Sequence, residues 1–202
     1  LVYPGATHSR LEHSIGVYAR VGQYIKSLVA RSDYPAFAEA ATPRDVGALL
    51  VAAILHDIGH YPMAHSFEEL MPPEAGDEFR HDAIAVRMLN GELLDVVSTS
   101  ELSLLADYLT DWDLEIDDVI AVLTSHRALG KNLTKELVPV LYSLLDGPMD
   151  ADKLDYVRRD SHHTGHPAGA AVDEARLIDS IVLPSVHKAL GVHERGLGAV
   201  QS

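Results

Sequence analysis

Twelve histidines in 202 residues give this chain an excess of groups that ligate metals and move protons near neutral pH. The densest run is His56-Asp57-Ile58-Gly59-His60-Tyr61-Pro62-Met63-Ala64-His65, directly after the apolar stretch 49–55. A His-Asp pair beside so much hydrocarbon is costly unless something pairs with both groups. A divalent cation does so, because imidazole nitrogen and carboxylate oxygen both bind Mn, Fe, Ni or Zn. Taken alone, the dipeptide is explained equally well by a helix C-terminus where His56 answers the negative end of the dipole. The surroundings weigh against capping alone. His60 lies one turn beyond His56, and Gly59 and Pro62 let the backbone turn and bring His65 back.

Two further segments offer partners. Arg10 and His13 are three residues apart and share a helix face beside an apolar stripe, so His13 is either a ligand or a packed core histidine. Far downstream, Met149-Asp150-Ala151-Asp152-Lys153-Leu154-Asp155-Tyr156 places acids, a lysine and a tyrosine at one helix start, with Asp160 a turn later. By itself that segment is better explained as an acidic first turn favoured by the helix dipole, its charges solvated.

The elements that must position these groups are helical almost throughout. Over 9–31, apolar residues fall at Leu11, Ile15, Tyr18, Val21, Ile25 and Leu28, a spacing of three and four. Ser9 or Thr7 is the candidate cap, and Glu12 completes a capping box with Ser9. A second helix starts near Pro43 and runs through the apolar stretch to a stop at Gly59 and Pro62. Further helices are expected over roughly 78–89, 102–109, 116–129, 135–145, 151–159 and 173–182. No strand-like alternation persists and no repeat is visible. The fold class that follows is all-α and irregular, built of many helices without the heptad regularity of a simple bundle.

Length suits one domain, placed at 1–182, with 183–202 as a C-terminal extension or the start of a further element. A fragment of a longer protein is expected, since the chain begins at Leu1. With 47% hydrophobic residues it can bury a sizeable core, and no apolar run nears the roughly 18 residues that span a bilayer. Cysteine is absent, which excludes disulfides and thiolate metal sites and permits a cytoplasmic setting. A net charge of −14 opposes an extended nucleic-acid surface. A small anionic ligand remains compatible where a metal and local cations neutralise it.

The set His13, His56-Asp57 and Asp152 resembles the H…HD…D metal signature of the HD-domain phosphohydrolases. More narrowly, three strings resemble the deoxynucleoside triphosphate triphosphohydrolase branch: 3–14 (YPGATHSRLEHS), 56–65, and 152–165 (DKLDYVRRDSHHTG). Signalling HD phosphodiesterases usually carry lysine where His60 stands. The resemblance covers about residues 2–165. It implies an irregular multi-helix HD fold around one buried divalent metal ion (Mn, Fe, Ni, Zn or Mg) held by His13, His56, Asp57 and Asp152. It also implies that Arg10, Lys153 and Tyr156 contact a triphosphate, that Asp160 meets the sugar 3′-hydroxyl, and that His60, His65 and His81 line the reacting phosphate. His81 or His65 would handle protons there. The implied reaction releases a deoxynucleoside and inorganic triphosphate, from a homo-oligomer. Two alternatives stay open: an HD phosphatase or phosphodiesterase acting on a nucleoside monophosphate or cyclic nucleotide, and a non-catalytic nucleotide-binding regulator. The sequence departs from the branch at Asp82, where glutamate more often follows the histidine, and after His166. In the branch a further helix closes the nucleotide pocket, and it is expected beyond the matched motifs.

Overall fold

In the computed structural model, which describes residues 5, 7–32, 35–60, 70, 79–167 and 169–181, Ser9 sets the first helix. The Ser9 hydroxyl accepts from the Glu12 amide, and the Glu12 carboxylate accepts from the Ser9 amide at 2.6 Å, the reciprocal box expected of this spacing. Helix α1 (Arg10–Ala30) buries Ser14, Val17, Val21, Tyr24 and Leu28. This corrects the stripe read from sequence. Leu11 and Ile15 are 67% and 56% exposed, and the buried face runs through 14, 17, 21, 24 and 28 instead. The small residue Ser14 and the polar-tipped Tyr24 disguise it, the latter fully buried with its hydroxyl donating to the Met149 carbonyl at 2.9 Å.

A five-residue helix that the periodicity does not reveal, α2 (Ala36–Ala40), follows and buries Phe37 completely. Helix α3 (Pro43–Leu55) starts as expected with Pro in its first turn and also carries a Thr42–Asp45 capping box. Asp45 is fully buried, and its carboxylate accepts from both the amide and the hydroxyl of Thr134, each at 2.8 Å. One acid thereby caps α3 and holds the loop ahead of a later helix. After Leu55 the chain continues in tight turns, Ile58 N–H to Leu55 O and His60 N–H to Asp57 O.

The remaining helices are α4 (His81–Leu89), α5 (Thr99–Asp111), α6 (Ile116–Thr124), α7 (Val138–Leu145), α8 (Ala151–Thr164) and α9 (Glu174–Ser180), with a 3-10 turn at Gly169–Ala171. Expected boundaries shift for local reasons. Helix α5 starts earlier because Ser98 and Glu101 form another capping box. Helix α6 stops well short of 129 because Ser125 turns left-handed (φ 56°), and the His126 amide closes back on Ala121 O. Helix α8 runs on to Thr164 and ends at left-handed Gly165. The expected domain edge at 182 lies outside the described residues, among which no strand occurs.

Helix α1 is the hub. It packs on α2, α3, α7, α8 and α9, while α3 also meets α6 and α7, and α4 meets α6. The core joins Val17, Val21 and Leu28 of α1 to Leu49, Ala52 and Ala53 of α3, Val119 and Val122 of α6, and Leu141 and Leu144 of α7. Buried Glu174 on α9 accepts from Arg20 on α1 and, at 3.0 Å, from Arg158 on α8. Thus α1, the end of α3 and the start of α8 are fixed side by side, each carrying its polar groups to one place. No described helix is long and apolar enough to cross a membrane.

Candidate metal centre

Three of the four expected ligands meet directly: one ligand atom each from His13, His56 and Asp152 lie within 4.8 Å of one another. Asp152 Oδ1 is 2.9 Å from His13 Nε2 and 3.8 Å from His56 Nε2. The fourth, Asp57, stands beside them, with its oxygens 3.4 Å from His56 Nε2 and 3.8 Å from His13 Nε2. His13 is mostly buried at this point and is no simple core histidine.

The donor set fits a divalent ion. His56 Nδ1 donates to the Ala53 carbonyl at 2.9 Å, and His13 Nδ1 donates to Asp155 at 2.8 Å. Both rings therefore turn Nε2 towards the carboxylates. His56 Nε2 is buried without a hydrogen-bond partner, and at 3.8 Å its contact with Asp152 is ionic only. Two imidazole nitrogens and two carboxylate oxygens suit Mn, Fe, Ni, Zn or Mg and leave positions for other ligands.

Charge compensation in the cluster is correspondingly strong. Burial works to lower the His13 pKa, but hydrogen bonds to Asp152 and Asp155 outweigh it and push it up to about 9. His56 is raised too, burial again being overcome by Asp152 and Asp57. Burial would raise Asp152, yet His13 and His56 hold its carboxyl well below the usual range. Asp57 is lowered by the His60 hydrogen bond and by His56 against the same burial effect. The sign for His13 follows. A folded pKa raised from 6.5 to about 9 adds stability that is full below pH 6.5 and lost as pH rises to about 9. EDTA-treated protein should therefore lose Tm between those two pH values, and Mn2+ should restore most of the loss by replacing the protons. A Tm flat over that range in EDTA would contradict this electrostatic picture.

A cavity of about 740 Å³ opens over the cluster, and its lining includes Arg10, His60, His81, Lys153 and Tyr156. Its volume is within the range of small-molecule sites. His60 Nε2 is 3.2 Å from Asp57 Oδ1, and its ring stacks on His81 at a centroid distance of 4.0 Å. Arg10 reaches Asp57 at 3.5 Å and is half exposed. The Lys153 ammonium donates to Gly147 O at 3.0 Å and to Asp150, so it is turned towards its own helix start. Asp160 does not line the cavity: it is half exposed and paired with His8 Nε2 at 3.0 Å, and His8 is itself a lining residue. His65 lies outside the described residues.

Sequence reasoning missed the lining residues Thr124, Tyr142 and Asp146, where Tyr142 donates to Asp146. Nothing in their local spacing marks them. It also gave no role to Asp155 and Arg159, although an acid and an arginine four apart on the helix of Asp152 were legible as a pair.

The HD domain family model matches residues 10–140. An uncharacterized protein of Methanocaldococcus jannaschii is 30% identical over 204 residues, covering 100% of this chain and 34% of that protein. A deoxynucleoside triphosphate triphosphohydrolase SAMHD1 homolog of Dictyostelium discoideum is 31% identical over 169 residues, covering 81% of this chain and 29% of the relative. This chain thus spans roughly a third of the length of the curated relatives it matches. Among solved structures, a hypothetical protein from Aquifex aeolicus superposes with a TM-score of 0.58 at 28% identity, over 89% of this chain and 40% of that one. A phosphohydrolase from Bacteroides thetaiotaomicron shares the fold, with a TM-score of 0.58 at 24% identity over 91% of this chain and 37% of that one.

Proposed function

This chain belongs to the HD domain family, and from that membership we propose that it is a metal-dependent phosphohydrolase whose substrates are deoxynucleoside triphosphates. The observation that carries the reading is the convergence of His13, His56 and Asp152 beneath a cavity also lined by Arg10 and Lys153. His13, His56, Asp57 and Asp152 would hold the ion. Once bound, the ion would supply the charge that a phosphoryl transition state needs and lower the pKa of water.

The chain's own groups do the rest. Arg10 presents a planar cation beside the cluster for phosphate oxygens, and Lys153 would leave Asp150 to meet a phosphate farther along the chain. Tyr156 offers its ring and hydroxyl at the same rim. Asp160 would take a sugar hydroxyl by way of the His8 side of the cavity. His60 and His81 form the proton-handling wall, their stacked rings held one against the other, and the branch resemblance assigns His65 the same task. Local cations decide affinity for a small anion, because the acidic surface is screened beyond about 10 Å. The named triphosphohydrolase relatives support the substrate class, and self-association belongs to the same reading.

The test is product analysis by ion-exchange chromatography after incubating the Mn2+-loaded protein with dGTP, AMP and cyclic AMP. The expected products are deoxyguanosine and inorganic triphosphate, from dGTP alone. Lys153→Ala should lose at least about tenfold more kcat/KM on dGTP than on a chromogenic phosphodiester, since an ammonium stabilises a long anionic chain more than a single phosphate. Turnover of AMP or cyclic AMP without dGTP would transfer the chain to the monoester or cyclic-nucleotide hydrolases. Tight dGTP binding without turnover would make it a regulator.

A further inference from the structure

We propose that Asp155, clamped by Arg159 in a notch left by Gly16, is a positioning residue that sets the tautomer and ring orientation of His13 for a divalent metal ion. The inference rests on the metal part of the function proposed above and is independent of its nucleotide.

The geometry begins with a carboxylate that is only 4% exposed. Asp155 Oδ2 accepts from His13 Nδ1 at 2.8 Å and from Arg159 Nε at 2.8 Å, while Oδ1 accepts from Arg159 Nη2 at 3.0 Å. An ionised carboxylate only accepts, so the ring nitrogen facing it must carry hydrogen. That leaves Nε2, on the other side of the ring, as the atom offered to a metal. It is also the atom that points at Asp152 and Asp57. The planar fork of Arg159 fixes the plane of the carboxylate through two parallel bonds, which a lone lysine ammonium could not do.

Asp155 is therefore no alternative ligand, because both its oxygens are engaged on the far side of the ring. Space for this arrangement comes from α1 itself. A Cβ at Gly16 would lie 1.9 Å from Asp155 Oδ1 and 2.3 Å from Arg159 Nη2. Gly16 is one turn after His13, as Asp155 is one turn after Asp152. Each of the two helices thus supplies a ligand and, three residues on, what that ligand pair needs for alignment. Outer partners of this kind raise ligand basicity and commonly change metal affinity by about 10- to 100-fold.

The experiment is a titration of the EDTA-stripped protein with Mn2+, followed by the electron paramagnetic resonance signal of the free ion. Wild type, Asp155→Asn, Arg159→Gln, the double variant and Gly16→Ala are compared, with circular dichroism as the fold control. Asp155→Asn should weaken Mn2+ binding by about 10- to 100-fold. Arg159→Gln should weaken it in the same direction. The double variant should be no weaker than Asp155→Asn, because Arg159 acts through Asp155. Gly16→Ala should also bind less tightly. Should Asp155→Asn not fold, Arg159→Gln carries the test, since its side chain is at the edge of the site. Variants that fold and bind Mn2+ like wild type, losing only Tm, would overturn the inference and leave the hydrolase reading intact. A wild type that binds no Mn2+ would overturn both. Wild-type Mn2+ binding that depends on Asp155, without dGTP hydrolysis, would sink the substrate class alone.

Discussion

Asp152→Asn should abolish stoichiometric Mn2+ binding and lower kcat/KM by on the order of 10³-fold, while leaving the helices in place. The size follows from what a bound cation contributes to a phosphoryl transition state, several kcal/mol at about 1.4 kcal/mol per decade. The position follows from geometry: a single Asp152 oxygen, Oδ1, faces both imidazole Nε2 atoms, at 2.9 and 3.8 Å. Asparagine keeps the shape and removes the charge. The fold should survive because Asp152 does not cap α8. That task falls to Asp150, which accepts from the Lys153 amide at 2.7 Å. Metal content by elemental analysis, circular dichroism and steady-state kinetics on one preparation decide the matter. Full Mn2+ occupancy with wild-type turnover would remove Asp152 from the ligand set, and loss of the helical far-ultraviolet spectrum would make its role chiefly structural.

A second large effect should come from a single methyl group. Gly59→Ala places a Cβ 1.9 Å from the His81 carbonyl oxygen and 2.6 Å from the Ala85 amide nitrogen, both backbone atoms that cannot swing aside. The turn after α3 must then part from the first turn of α4, and the His60–His81 stack goes with it. We expect a loss of about 1–3 kcal/mol in unfolding free energy, the usual range for overpacking. Activity should fall further than stability explains, because His60 also bonds Asp57. The comparison is Gly22→Ala in α1, where a Cβ meets nothing within 4 Å. Removing glycine there should stabilise by about 0.5–1 kcal/mol. Urea midpoints for the two variants give the answer, and equal midpoints would refute the close approach at Gly59.

Much of this architecture is legible in the sequence. The Ser9–Glu12 box and Pro43 are local signals, governed by backbone geometry a few residues apart, and each appears where the chain calls for it, whereas α3 ends at Leu55, four residues before the expected stop at Gly59. His56-Asp57 is legible for another reason: that pair is costly to bury without a common partner, while His13 and Asp152 join it only through the family resemblance. What escaped depends on lateral packing. The buried face of α1 passes through Ser14 and Tyr24 instead of Leu11 and Ile15, because neighbours on α3 and α8 decide which side is covered. Helix α2 is too short for periodicity to register, and Ser125 shows its left-handed turn only in three dimensions. Tyr142 and Asp146 join the cavity wall from α7 and its C-terminal end, far from any motif. Asp160, by contrast, belongs to a quoted motif and yet does not line the cavity, pairing instead with the lining residue His8.

The HD domain match covers residues 10–140, and α8 follows it. Those 14 residues carry Asp152 of the His-Asp cluster, the cation Lys153, Asp155 behind His13, the ring of Tyr156 and the clamp Arg159. The paired imidazoles and Asp57 all lie upstream. These five side chains share one rigid helix, so any displacement of α8 against α1 would move them together. A shift large enough to part Asp152 from His13 would also carry off the cation at the rim and the acid behind the imidazole. Assembly of the centre and its dismantling are thus one mechanical event, the seating of α8 on α1.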